Sequence, residues 1–230
     1  MEKTYKVTYK IYFNGRLKPV SFHGRIMHPL YIQINFDRKA IYFKSYYFDL
    51  LSRPQFALRH ITGNKFPDIA EVRTREEHLI DFIIEKNTEH FSLDLFKEKY
   101  DYYCRDLLDL MEGPFKEYLY IFFYDEGLAV IASMIRGYGM IATADHIIND
   151  LKTALKPIIF AKLLENAVFY APPYIPLYSF ANEKKKGQLI TFSVYEWEQL
   201  ERRGAFFAFL TKSFPEYEKK TVERLIKDMI

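Results

Sequence analysis

From Tyr5 to Phe13 the chain alternates between two kinds of position. Tyr5, Val7, Tyr9, Ile11 and Phe13 fall on one side, and Lys6, Thr8, Lys10 and Tyr12 on the other. A period of two is that of a strand with one buried face. Asn14-Gly15 signals a turn. LKPVSF (17–22) reads as an edge segment, because Pro19 has no N–H for a central ladder, and His23-Gly24-Arg25 reads as a loop. Alternation resumes at Leu30, with Leu30, Ile32, Ile34 and Phe36 inward and Tyr31, Gln33 and Asn35 outward. Asp37-Arg38-Lys39 turns the chain, and Ala40–Tyr47 returns with β-favouring residues. Residues 4–48 are therefore predicted to form three or four antiparallel strands.

From Pro67 the period lengthens. Ile69, Val72, Leu79, Ile80, Ile83 and Ile84 recur at helical spacing. Ser92 is the expected cap of a helix over SLDLFKEKYDYYCRDLLDL, with Gly113-Pro114 as its break. FKEYLYIFFYDEG is a further helix stopped at Gly127, and Arg136-Gly137-Tyr138-Gly139 reads as a flexible joint. Thr143 or Asp145 starts a helix carrying Ile147, Ile148, Leu151 and Leu155, and Pro157 interrupts it or opens the next. APPYIPLYSFANEKKKG, with three prolines and a lysine run, reads as a linker. QLITFSVYEWEQLERRG follows as a short strand and a helix, AFFAFLTKSF as a brief apolar helix, and PEYEKKTVERLIKDMI as a terminal amphipathic helix. The expected class is α+β, a small N-terminal antiparallel sheet of three to four strands followed by a mostly helical region. The expected divisions are residues 1–60, 61–180 and 181–230.

Composition supports a packed chain: 49% of the 230 residues are hydrophobic and 27% charged, enough apolar material for a core. Aromatics reach 18%, suited to cores, stacking surfaces or contacts. Cys104 is the single cysteine, which excludes an intrachain disulfide and a thiolate zinc site and fits a reducing compartment. MEKTYKVTYKIYF has no signal-like apolar run, and Asp125 and Glu126 interrupt the most apolar stretch, so a cytoplasmic protein without a membrane span is expected. Charge is unevenly spread. Residues 1–60 hold eleven Lys/Arg against three acids, net +8, while the remainder carries −5. A basic end of this kind points to a polyanionic partner, although a solvated basic face gives the same count.

Phosphate-binding GxxxxGKS/T, dinucleotide GxGxxG and hydrolase GxSxG motifs are absent from the sequence. The six histidines are scattered. His78 with Glu77 and Asp81 reads as a solvated helix face rather than a metal cluster, Cys104 as a buried or half-buried structural thiol, and no cofactor is expected. The outward face of the sheet is the constellation that carries chemistry. It would present Lys6, Thr8, Lys10, Gln33, Asn35, Tyr42 and Lys44. A sheet or ribbon enters the major groove of DNA, where amides bond adenine and cations meet phosphate or guanine. An ordinary half-solvated antiparallel sheet with protective edge lysines also shows polar residues outward.

NGRLKPVSFHGRIMHPLYIQINFDRKAIYFKSYYFD resembles the arm-type DNA-binding domain of tyrosine recombinases, the phage-type integrases, particularly those of Bacteroidetes mobile elements. The resemblance extends more weakly through about 190 residues. ADHIINDLKTALKPIIFAKLLENAVFYAPPYIPLYSF is similar to the last helices of their core-binding domain. QLITFSVYEWEQLER is similar to the opening of their catalytic domain, with Tyr195, Glu196 and Leu200 near the matching positions. The resemblance implies a three-stranded sheet set into the major groove and a role in DNA integration or recombination. The chain departs from the family where catalysis is concerned. It contains no His-x-x-Arg segment, and about 45 residues follow the proline-rich stretch, too few for the catalytic domain.

The expected function is therefore non-catalytic DNA binding, related to integrases but without the recombinase reaction. Gln33 and Asn35 would meet bases, with Lys6, Lys10, Arg25 and Lys44 on phosphates. Lys152, Lys156 and Lys162 in the helical region would add backbone contacts, the two linked sites gaining from effective concentration. The competing expectation is an aromatic-rich module for protein partners or self-association. An enzyme would need a concave site with convergent polar groups.

Overall fold

The structure is a computed structural model, and it describes residues 6–23, 25–56, 68–138, 141–184 and 190–230. Tyr5, Gly24, Pro67, Gly139 and the lysine run from Lys185, which figure in the expectations above, lie outside the described residues. The chain is α+β, a small antiparallel sheet followed by a mostly helical region. It divides into two compact units, Met1–Cys104 and Arg105–Ile230. The divisions expected near residues 60 and 180 fall inside these units, because the first long helices supply the core of the sheet and the proline-rich stretch packs within the second unit.

In the first unit the elements are β1 (Thr8–Phe13), β2 (Val20–Phe22), β3 (Arg25–Met27), β4 (Leu30–Phe36), β5 (Lys39–Lys44), α1 (Tyr46–Leu51), α2 (Ile69–Lys86) and α3 (Leu93–Tyr103). β4 lies between β1 and β5, antiparallel to both. Asp37 (φ 45°) and Arg38 (φ 61°) turn the chain from β4 to β5 in the left-handed region, the geometry that matches strand twist in a tight hairpin. β2 and β3 form a separate two-stranded ribbon between β1 and β4, so the edge segment and loop expected there become a hairpin. The base of this excursion is closed by the Asn14 N–H donating to Pro29 O at 2.9 Å. Its Phe22 ring stacks on Phe48 of α1 with centroids 4.9 Å apart.

The inner face of the sheet is the core. Ile11, Leu30, Ile32 and Ile34 are buried, and each such side chain contributes roughly 1.5–3 kcal/mol. α2 supplies Val72, Leu79, Ile80 and Ile83, and α3 supplies Phe96 and Tyr100. Phe43 of β5 packs on Tyr100 at 4.7 Å, and Arg73 of α2 donates to Ile11 O at 2.6 Å. Phe13, expected inward, is 45% exposed, because the chain leaves the sheet at that residue. Asp68 caps α2, accepting from Ala70 N, and Ser92 caps α3 as its sequence predicts, accepting from Leu95 N.

The second unit is built from α4 (Leu107–Asp125), α5 (Ala129–Tyr138), α6 (Ala144–Ala154), α7 (Pro157–Tyr170), α8 (Tyr174–Lys184), α9 (Val194–Glu198), α10 (Leu200–Ser213) and α11 (Lys219–Met229). Gly113-Pro114 does not break a helix. Both residues sit on an exposed part of α4, where the missing proline N–H leaves one carbonyl to solvent. The break falls at Arg105-Asp106 instead. The Asp106 carboxylate accepts from Asp109 N at 3.0 Å and from Phe192 N at 2.7 Å, and Leu107 N donates to Phe192 O. These bonds draw the chain out of one helix and cap the next. Gly127 (φ 74°) ends the turn after α4 as expected, whereas Arg136, Gly137 and Tyr138 close α5 rather than forming a joint.

The proline-rich stretch is not a linker. Pro172 and Pro173 precede α8 and Pro176 lies in its first turn, where helix N–H groups have no intrahelical acceptor anyway. Tyr174, Leu177, Phe180 and Ala181 are buried, with Tyr174 stacked on Phe115 at 5.0 Å and Phe180 edge-on to Phe206 at 5.5 Å. Downstream, the described part of the expected short strand, residues 190–193, carries a single bridge at Ser193. Ser193 and Glu196 form a capping box that starts α9. The helix expected before Gly204 divides at Gln199 into α9 and the start of α10, which runs through Gly204 into the second, carried by buried Phe206, Phe207 and Leu210. No helix among the described residues is long and apolar enough to cross a membrane.

Candidate nucleic-acid interface

Strand register places nine outward side chains in three rows of three. Thr8, Asn35 and Ala40 are opposite one another, then Lys10, Gln33 and Tyr42, then Tyr12, Tyr31 and Lys44. Gln33 occupies the centre, with a cation on one neighbouring strand and an aromatic on the other. Lys10 and Tyr42 are exposed, Tyr42 at 59%. Tyr12, Tyr31, Gln33 and Asn35 are half-buried by their own neighbours, while the helices cover the opposite face. β1, β4 and β5 contain no Asp or Glu, so the face carries amides, hydroxyls and ammonium groups without a carboxylate of its own strands.

Side-chain bonds tie the grid together. Gln33 Nε2 donates to Asn35 Oδ1 at 2.7 Å, and Asn35 Nδ2 to Thr8 Oγ1 at 3.4 Å. The Lys10 ammonium lies 5.5 Å from the centre of the Tyr12 ring, within cation–π range. Lys44 pairs with Asp49. With both partners substantially exposed this pair is weak.

The expected site residues thus separate into three groups. Lys10, Gln33, Asn35 and Lys44 share the outer sheet face, and exposed Lys6 lies two residues ahead of β1. Arg25 is exposed on the β2–β3 ribbon rather than on the sheet. Lys152, Lys156 and Lys162 belong to the second unit. Lys152 and Lys156 are exposed on α6 and at the start of α7, whereas Lys162 is engaged by Glu126, which partly cancels its charge.

Glu76 and Glu112 are buried carboxyls, as Asp106 is, that escaped the sequence reading. Glu76 of α2 is fully buried. It accepts from Ser45 Oγ at 2.5 Å, from Tyr47 N at 3.3 Å and from Tyr100 Oη at 2.9 Å. Burial pushes its carboxyl up to about 7, against hydrogen bonds that pull the other way. Glu112 of α4 accepts from Ala144 N at 2.6 Å and pairs with Lys116 at 2.6 Å. Both carboxyls lie at positions that sequence periodicity makes apolar, Glu76 four residues from Val72 and from Ile80, and that spacing was the signal available. The same burial pushes the Cys104 thiol up, in keeping with a structural thiol. Burial and the Asp81 carboxylate raise Tyr9 of β1 to about 12.

Comparison with protein-family models, curated proteins and solved structures finds no match to this chain.

Proposed function

We propose that the chain is a non-catalytic DNA-binding protein, related to integrases, whose outer sheet face enters the major groove. One observation carries the reading. Lys10, Gln33 and Tyr42 stand in line across three strands, on a face whose strands have no acid and whose reverse is the core. Cations at the margins meet phosphates while the central amides reach base edges. The uneven charge of the chain, +8 over residues 1–60, supports the same partner.

The test is a binding titration on duplex DNA at several salt concentrations. The logarithm of affinity is expected to fall linearly with the logarithm of salt, by about 0.9 per neutralised phosphate. Replacing Lys6, Lys10 and Lys44 together by alanine is expected to flatten that slope by roughly three units. A binding constant indifferent to salt overturns the reading.

A second reading is a module for protein partners or self-association. It is favoured by exposed apolar side chains in the second unit, Ile121 and Tyr124 on α4 and Val130 and Met134 on α5. Exposed apolar groups of this kind mark contact surfaces. Salt-insensitive dimerisation in size exclusion, without retention of DNA, selects it.

A further inference from the structure

We infer that Gln33 is the base-reading residue of the sheet and that its base is adenine, an inference that rests on the DNA reading of this face. Gln33 is the middle residue of the middle strand, and its amide is held by its neighbours. One N–H of Nε2 is given to Asn35 Oδ1, and Asn35 in turn donates to Thr8 Oγ1. In this arrangement the nitrogen end of the Gln33 amide is turned to Asn35. Gln33 is left presenting one acceptor, Oε1, beside one remaining N–H donor.

In the major groove adenine offers the reverse pattern, a donor at N6 beside an acceptor at N7. Guanine offers two acceptors, so Oε1 would face an acceptor and repel it. Cytosine offers a donor alone, and thymine an acceptor beside a methyl group. An amide presenting an acceptor beside a donor matches adenine. The neighbours across the strands complete the fit. Lys10, directly opposite on β1, is placed for a phosphate, and the exposed Tyr42 ring, directly opposite on β5, suits the thymine methyl. Asn35 and Thr8 act through Gln33 and are positioning residues.

The experiment is selection by the full chain from a library of duplexes with a randomised core, followed by sequencing. The wild type is expected to enrich adenine at one position. Gln33→Ala is expected to flatten that position by about tenfold, within the discrimination a bidentate amide–adenine pair gives, while leaving the salt slope unchanged. Gln33→Glu presents acceptors only and is expected to move the preference toward cytosine, a change that damage to the sheet does not produce. Asn35→Ala releases the Gln33 amide and is expected to weaken the adenine preference at the same position. Enrichment of guanine there, or a preference unmoved in Gln33→Ala, overturns the inference while DNA binding stands. A wild type that retains no duplex overturns the DNA reading and this inference together.

Discussion

Between pH 4.5 and 7 the first unit is expected to lose about 3 kcal/mol of stability that a Glu76→Gln variant keeps. In the unfolded chain the Glu76 carboxyl titrates at its ordinary 4.5, whereas in the fold burial raises it to about 7. Within that window the folded chain retains a proton that the unfolded chain has released. The contribution is therefore fully present below pH 4.5, falls as pH rises, and is gone above 7. Glutamine stays neutral throughout, and the hydroxyls of Ser45 and Tyr100 can donate to its oxygen or accept from its nitrogen. The measurement is amide hydrogen exchange at Ile32 and Ile34 of β4, compared between wild type and variant across the pH range. Equal pH slopes in the two proteins would show that Glu76 does not hold its proton in the fold.

Glu112→Ala is expected to cost the second unit roughly 3–5 kcal/mol, the usual effect of removing one member of a buried ion pair. Each side chain of the Glu112–Lys116 pair is only 11% exposed. The substitution strips Lys116 of this counter-ion and the Ala144 N–H of its acceptor, at the start of α6. Trp197, the only tryptophan of the chain and 1% exposed, reports the unfolding of this unit by fluorescence. A urea midpoint unmoved in Glu112→Ala contradicts the role assigned to the pair. Glu112→Gln, which retains an acceptor for Ala144, is expected to fall between the two.

The sheet was legible because its signal is local. Alternation assigned Ile32 and Ile34 to one face and Gln33 and Asn35 to the other, and Asp37-Arg38 marked the turn. Alternation does not encode register, so the row of Lys10, Gln33 and Tyr42 emerges only when the strands are paired. The helix boundaries near Cys104 were illegible for a related reason. Asp106 reads as one more polar helical residue, and what stops the helix is its bond to Phe192, distant in sequence. Prolines misled twice in the same direction, each time suggesting a break where a helix forms. Pro114 is harmless on an exposed helix face, and Pro172, Pro173 and Pro176 are compatible with a helix start, so composition alone described α8 as a linker. Glu76 and Glu112 were passed over because a glutamate in a helix is ordinarily a solvated residue, and only its alignment with Val72 and Ile80 sets Glu76 apart.

The β2–β3 ribbon bears on how the protein tolerates change. Pairing between β1 and β4 runs to Phe13 opposite Leu30, and the Asn14–Pro29 bond closes immediately beyond it. The residues between enter and leave through one doorway, so their number can grow or shrink at a loop-closure cost that rises only slowly with length. The segment is thus a cassette. Its tip can be exchanged, and a tag or a different hairpin inserted, without shifting the register of the sheet. One position is not free. An aromatic must remain where Phe22 covers Phe48, or the graft exposes the core it was meant to leave alone.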